Sequence, residues 1–596
     1  MAFSQMPQTG CRGGGVRKRC WLRRVVAALV LLNVGQLIVF FLHAGENGDN
    51  ELPNTMRQSP GKQWPQLRSF TLWTAKPDLD LRSCEALFGN GFTQPFYLLE
   101  PESRPRLRRA KHRGFTRGRS AFGFILARLV GAWTKLVLKQ AVHAAEGLNN
   151  SSRFLNGTEG RAVQRLDRNR RLQPQHDGLF QCFRSPVLHT SVCEGTHMVM
   201  YPKKIKMSKG GERLNSVMER NAAEELPYFT SGAFQVMVPE NGERRPLLNK
   251  KMLDRIMPQG DVREHTLHHL LEQIRTIPLD EVTCAQRVSQ PTLVVTRFEH
   301  MNLFHTITDW YSAYMTARVV NLKRRPRLLF VDGHCQSPMD DGWQAMFSGM
   351  NFARHLTGPV CFDHLIFAPL GYDTPLFRGQ DLEVPCTGNL PMDADMDSEH
   401  RTGRLREFGE MFTASFNLSK DTVSTKDITI VKVLFVRQEE YVAYPQHLKR
   451  PEFHLRNEEE VFEALMTWAT IRSRPHAGQQ KLSLEESRGK LNITITNGLL
   501  SHMSMQEQLQ IVQESAIIIG AHGAGLSHLL FARPGKTAIL ELTSPDFQCP
   551  DFQKLAQWNG IQYHAMELED SVADCSEVMY YIDFILNDLI WKEAIP

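Results

Sequence analysis

The sequence predicts an α/β protein built of two lobes. From about residue 181, short β-branched or apolar runs alternate with longer helical stretches, the pattern of a sheet covered by helices. A polar stretch from Leu390 to about Lys426 separates the two clearest early strands from three later ones. The 596 residues leave room for two large lobes plus appendages, each burying its own core. With 22% charged and 42% hydrophobic residues, 41 Gly, 31 Pro and 11 Cys, the composition excludes collagen, a wholly disordered chain, a polytopic membrane protein and a small disulfide-stapled scaffold. The balance of 70 Lys+Arg against 64 Asp+Glu, a net +6, is too even to point to an acidic partner.

The N-terminus sets the compartment. Residues 25–42 are apolar and carry no charge, and as a helix they span about 27 Å, enough for a thin bilayer. Arg12, Arg17, Lys18, Arg19, Arg23 and Arg24 precede the run, whereas Glu46, Asp49 and Glu51 follow it. The positive-inside rule therefore leaves residues 1–24 as a cytosolic tail and puts the rest in the lumen. A cleaved signal peptide is the competing reading, but the run exceeds a typical h-region and no small-x-small site follows. An uncleaved type II anchor is expected. Sequons at Asn149, Asn150, Asn156, Asn417 and Asn492 suit a glycosylating compartment. Cys11 and Cys20 lie on or beside the cytosolic side, as acylation sites or free thiols. The nine remaining cysteines, Cys84, Cys182, Cys193, Cys284, Cys335, Cys361, Cys386, Cys549 and Cys575, are widely spaced, which favours disulfides over metal ligation and leaves one unpaired.

Residues 43–180 read as a basic, solvated stem, with runs at Arg104–Arg109 and Arg168–Arg171. Within it, 121–142 is apolar, but Arg128, Lys135 and Lys139 recur on one face, so an amphipathic helix on the protein body or a membrane surface is expected rather than a second span. The first lobe, 181–425, holds strands at 292–296 and 327–331 and a helix at 303–320. The second lobe, 426–596, holds strands at 432–436, 516–519 and 537–541 and helices at 458–471, 504–514, 551–558 and 575–591.

Two segments carry chemistry. The first runs from Ser515 to His528: an apolar strand enters a loop with Gly520, Gly523 and Gly525 and then a short helix. Small residues at a strand's carboxyl end let backbone N–H groups approach a pyrophosphate, and the helix adds its positive end. The spacing is neither a dinucleotide fingerprint nor a P-loop, and a Gly-rich turn also serves tight packing; His522 within it tips the balance towards a site. Glu541, ending the next strand, suits ribose hydroxyls or a surface ion pair. Arg437, ending the strand at 432–436, suits a phosphate or an interlobe ion pair.

In the second segment, a helix starting near Asn302 places His305 and Asp309 at i and i+4, close enough for the carboxylate to orient a general base, although a plain surface pair has the same spacing. The acidic patches Asp340-Asp341 and Asp393, Asp395 and Asp397 read as solvated loops rather than a metal site. Hydrolase motifs are absent, and the basic runs lack the aromatic interleaving of a nucleic-acid surface.

Five segments in order, Ile205–Arg213, Asn302–Tyr314, Phe330–Cys335, Leu434–Arg437 and Gly520–Leu526, resemble the plant-type N-glycan β-1,2-xylosyltransferases of glycosyltransferase family 61. The resemblance runs from roughly 195 to 566, and the basic insert of about 101–175 lies outside it. It implies a GT-B fold, two Rossmann-like lobes facing across a cleft, with Golgi residence and transfer of xylose from UDP-xylose to the core β-mannose of an N-glycan. No cofactor or divalent metal is implied. An α-linked donor giving a β-linkage requires a single displacement and one general base. By position, His305 and Asp309 become candidates for that base, Glu299 and Asn302 for acceptor binding, and Arg437, Gly520, His522, Gly523, Gly525 and Glu541 for donor binding. The final helix, around Tyr580 to Trp591, is expected to brace the first lobe. The alternatives are a same-family transferase moving N-acetylglucosamine or xylose onto another protein or polysaccharide acceptor, and a non-catalytic membrane-anchored glycan-binding protein.

Overall fold

A computed structural model describes residues 61–67, 79–88, 91–99, 178–257, 266–379, 386, 403–418, 429–438, 453–473, 491–545 and 550–592. The expected anchor at 25–42, the expected amphipathic helix at 121–142, the Asp393, Asp395 and Asp397 patch, Cys11, Cys20 and Cys549, and the sequons at Asn149, Asn150 and Asn156 lie outside these residues. Among the described residues no helix is long and apolar enough to cross a membrane.

The fold is α/β. Its first sheet has ten strands: β1 (Gln94–Leu99), β2 (Phe180–Ser185), β3 (Thr190–Met200), β4 (Phe234–Val238), β5 (Arg275–Pro278), β6 (Gln286–Val288), β7 (Thr292–Val295), β8 (Arg327–Phe330), β9 (Met350–Phe352) and β10 (Val360–Phe367). The spine runs β1-β2-β3-β10-β7-β8-β9, with β4 beside β3, β5 beside β4 and β6 beside β10. β10, β7, β8 and β9 are mutually parallel, and β1 to β3 form an antiparallel flank. Every residue of β7 and β8 is buried, as a parallel strand covered on both faces requires.

The second sheet is wholly parallel, with strands β11 (Thr429–Val436), β12 (Leu491–Gly498), β13 (Ile517–Ala521), β14 (Ala538–Thr543) and β15 (Gln562–Glu567) in the order β12-β11-β13-β14-β15. This is a doubly wound order, and its direction reverses between β11 and β13.

Helix α1 (Leu303–Val319) begins at Asn302, whose side chain caps it by accepting the His305 N–H, and it is buried from Thr306 to Val319. Further helices are α2 (Asp340–Met346), α3 (Gly403–Ser415), α4 (Glu458–Arg472), α5 (Met505–Glu514), α6 (Asp551–Asn559) and α7 (Cys575–Trp591). One apolar core joins the two sheets through α1, α3 and the 3₁₀ turn Ala524–Phe531, including Ile307, Trp310, Phe408, Phe412, Leu529 and Phe531. Phe412 stacks on Phe531 at 4.5 Å.

Helix α3 stands inside the stretch read as a polar lobe boundary. Leu405, Phe408, Met411 and Phe412 are buried at helical spacing, and the charged residues between them hid this face. Helix α7, expected to brace the first lobe, packs among the described residues on the second sheet and α4, with Asp583 accepting from Trp468 and Arg472. Residues 61–67, 79–88 and 91–99, read as stem, are packed on the body. Trp64 donates to the Leu322 carbonyl at 2.9 Å, and Cys84, Leu87 and Phe88 are in the core.

Disulfides join Cys84–Cys386, Cys182–Cys193 and Cys284–Cys361. Among the described residues Cys335 and Cys575 carry none, so more than the single expected thiol is unpaired. Cys84–Cys386 spans 302 positions. Cys84→Ser is therefore expected to cost about 2–4 kcal/mol, read as a lower melting temperature that reductant no longer changes as much as in the wild type.

Candidate active site

Ligand sites in parallel sheets form beyond the carboxyl ends of the strands, where strand order reverses. In the first sheet that end carries the loop 296–302 after β7. Val295 is level with Phe330 of β8, so Arg297 and Asp332 leave adjacent strands side by side. Arg297, 1% exposed, donates from Nη2 to Asp332 Oδ1 at 2.7 Å, and its backbone N–H donates to Asp332 Oδ2 at 2.8 Å. Its guanidinium also lies over Phe330 and reaches Asp340 Oδ1 at 3.4 Å. Asp340 therefore stands at the start of α2, paired with a buried cation, and not in the solvated loop expected.

Behind this pair His334 presents Nδ1 to Glu225 at 2.7 Å and Nε2 to the Arg297 carbonyl at 3.1 Å, while the His300 ring stacks on it at 4.2 Å. Gly333 donates its N–H to the Glu225 carbonyl and Gly211 donates to that of His334, which joins the segments Ile205–Arg213 and Phe330–Cys335. Arg297, Asp332, His334 and Glu225 were not singled out from the sequence. The available signal was a charged residue at the same offset beyond each of two neighbouring strands.

The clamped loop presents Glu299. Its carboxylate meets His305 Nε2 at 2.8 Å, with side chains 20% and 19% exposed. The expected His305–Asp309 pair does not form: Asp309 is 5% exposed, and Oδ1 accepts the Gly371 N–H at 3.1 Å while its carboxylate also accepts the Phe298 N–H. Side chains on a helix lean towards its N-terminus, so His305, in the first turn, meets the preceding loop. Asn302, expected at the acceptor, serves as the α1 cap.

Burial, with the charge of Asp332 adding to it, pushes the Asp309 carboxyl from 3.8 up to about 8. The folded protein holds this proton more tightly than the unfolded chain does. The resulting stabilisation is complete below about pH 4 and is lost as the pH rises through about 8. Melting temperatures measured between pH 5 and 8 should fall more steeply in the wild type than in Asp309→Asn.

In the second sheet, Arg437 directly follows β11 and β13 runs into His522 at the reversal of strand order. His522 Nδ1 meets Glu541 Oε1 at 2.5 Å, and Tyr563 donates its hydroxyl to Glu541 Oε2 at 2.7 Å. Glu541 is 1% exposed with both oxygens engaged, so it orients His522. Arg437 is held by Glu458 at 3.0 Å and Glu459 at 2.8 Å, both on α4 of its own sheet's layer.

The glycines divide by role. A Cβ on Gly520 would come within 3.1 Å of the Val436 carbonyl and one on Gly525 within 2.9 Å of its side chain, so these two admit close packing against β11. Gly523 backs onto Gln438, which donates to the His522 carbonyl at 3.1 Å. The first turn of 524–531 leaves backbone N–H groups without helical partners. His528, pushed down to about 4 by burial, lies against the Gly525 carbonyl at 2.9 Å and Gln508 at 2.8 Å, fixing that turn from behind. Among the described residues no group of three His, Cys, Asp or Glu side chains is disposed to hold a metal ion.

Two such sheets, with a carboxylate-held imidazole beyond each set of parallel strands, describe a group-transfer enzyme, and the chain belongs to glycosyltransferase family 61: the model described as Glycosyltransferase 61 matches residues 236–540. The chain is similar to a beta-1,2-xylosyltransferase of Arabidopsis thaliana, 35% identical over 95% of this chain and 98% of that protein, so the likeness extends beyond residues 195–566. It is 43% identical to a beta-1,2-xylosyltransferase of Oryza sativa subsp. japonica over 69% of this chain and 74% of the other. It is 23% identical to an EGF domain-specific O-linked N-acetylglucosamine transferase of Canis lupus familiaris over 50% of this chain and 48% of that protein.

Proposed function

We propose that the protein is a Golgi inverting glycosyltransferase that transfers xylose from UDP-α-xylose, in β-1,2 linkage, to the core β-mannose of N-glycans. The near-full-length likeness to a beta-1,2-xylosyltransferase carries this reading. The two sheets are taken as the lobes of a GT-B fold, acceptor side first and donor side second. The doubly wound order of the second sheet supports that assignment. The type II anchor at 25–42 keeps the body luminal, and the three disulfides and the exposed Asn417 and Asn492 support an oxidising, glycosylating compartment.

The chemistry is a single displacement. The acceptor hydroxyl oxygen bonds to the anomeric carbon as the carbon–phosphate oxygen bond breaks, and UDP leaves. Glu299 holds the proton on His305 Nε2, so Nδ1 is the nitrogen that takes the hydroxyl proton, and the carboxylate stabilises the imidazolium that forms. On the donor side Glu541 occupies His522 Nδ1, and Nε2 remains to donate to the diphosphate beside the N–H groups of residues 523–525. No divalent metal is assigned a step.

The test is transfer by the full-length chain in detergent from UDP-xylose, with UDP-N-acetylglucosamine alongside, onto an N-glycan bearing terminal N-acetylglucosamine, read by mass spectrometry. Gain of one pentose supports the reading. Gain of N-acetylglucosamine alone contradicts the donor, and no transfer with retained glycan binding favours a non-catalytic protein. In the same assay His522→Ala is expected to lower kcat by about 10²-fold or more, and Glu541→Gln, which keeps the shape and removes the charge, by a smaller factor.

A further inference from the structure

The surroundings of the His305–Glu299 pair hold aromatic side chains that the fold leaves in solvent. Phe298, next to Glu299 on the loop after β7, is 41% exposed, and Phe377, on the short helix Pro375–Arg378, is 38% exposed. The Phe377 ring lies 5.9 Å from the His305 imidazole and 6.4 Å from the Phe304 ring, and the Phe298 ring meets Tyr372 edge-on at 6.0 Å. Phe377 and Phe304 thus flank the imidazole, and Phe298 and Tyr372 stand on the two segments that carry Glu299 and lead to Phe377. Large apolar side chains are ordinarily buried for about 1.5–3 kcal/mol each. Two left open, one against His305 and one next to Glu299 in the chain, are better explained by something that covers them.

Their backbones are fixed while their faces are open. The Phe298 and Gly371 N–H groups both donate to Asp309. Asp373 is paired with Arg378 at 2.6 Å, and Thr190 donates to it at 3.3 Å. A Cβ on Gly371 would fall 2.3 Å from Asp309 Oδ1, so the turn that carries Tyr372 and leads to Phe377 sits hard against α1. An arrangement preorganised in this way suits recognition by rings that need not move.

We propose that Phe298 and Phe377 are the acceptor platform: they stack on the apolar C–H face of a pyranose of the glycan and so hold its hydroxyl against His305. A pyranose presents C–H groups on its face and hydroxyls around its rim. An aromatic ring offers dispersion and a negative π-face to the former, and Glu299 and His305 meet the latter. The proposal rests on the reading of the chain as an N-glycan transferase and adds which residues grip the sugar.

The test pairs Phe298→Ala and Phe377→Ala with Phe298→Tyr and Phe377→Tyr in the full-length protein. Transfer kinetics are measured with acceptor and donor varied separately, thermal melting is recorded for each variant, and the N-glycan is titrated calorimetrically without donor. Each alanine variant should raise the KM and Kd for the glycan by about 3- to 10-fold, with the KM for UDP-xylose and the melting temperature unchanged, and tyrosine should restore the glycan values. An unchanged glycan KM in a wild-type-like, active protein overturns the platform and leaves the transferase reading standing, as does a loss that falls equally on both substrates or follows a lowered melting temperature. A wild type that neither binds nor glycosylates the glycan overturns both.

Discussion

His305→Ala is expected to lower kcat by about 10²–10⁴-fold, the range for loss of a positioned general base, with the melting temperature unchanged. The side chain is 19% exposed and its polar partner is Glu299 at 2.8 Å, so its removal leaves no large cavity. Glu299→Gln keeps a hydrogen-bonding group but no charge to stabilise the imidazolium, and should lower kcat less than His305→Ala. Asp309→Asn provides the contrast. Asp309 is buried against the Gly371 and Phe298 N–H groups, which an amide oxygen can still accept, so most of the activity should remain. Equal losses in His305→Ala and Asp309→Asn, read by initial rates, would return the base to the i,i+4 pair.

Asp332→Ala is expected to be strongly destabilising. It leaves the Arg297 guanidinium, 1% exposed, with Asp340 at 3.4 Å as its remaining carboxylate partner. Breaking one side of a buried ion pair costs about 3–5 kcal/mol. Burial opposes the ionisation of Asp332, yet Arg297 holds its carboxyl below the usual range, which marks the pair as charged on both sides. Arg297→Met combined with Asp332→Leu removes both charges and should cost far less than either single change, a non-additivity that urea unfolding of the full cycle measures. Because the Asp332 carboxylate also holds the Arg297 N–H, the double variant should recover stability before it recovers activity.

The elements were legible where a period was strong. Helix α1 was expected at 303–320 and spans Leu303–Val319, and α7 was expected at 575–591 and spans Cys575–Trp591. The apolar run at 327–331 became β8. Helix α3 was missed because its charged face dominates a polar stretch, and the pairing of β1 with β2 because the long insert after Leu99 separates the two strands in the chain. The site was legible as residue types at strand and helix ends, and its pairings were not. His522 and Glu541 were both named from the sequence, but their contact follows from Gly520 standing level with Glu541 across β13 and β14. Tyr563, two residues before the Ala565 that faces Glu541, was invisible without that register. Arg437 illustrates the opposite case, since its place at a strand end suggested a phosphate while Glu458 and Glu459 on α4 take up its charge.

Whether xylose is transferred with inversion to the core mannose is read from the product itself. The full-length protein, UDP-α-xylose and an N-glycan acceptor are incubated with and without EDTA, and the purified product is examined by NMR for the new anomeric signal and its linkage. A β-xylose on the 2-hydroxyl of the core β-mannose, formed equally well in EDTA, is the predicted result. An α-linked product, a different acceptor hydroxyl, or a reaction abolished by EDTA and restored by a divalent cation would contradict the account.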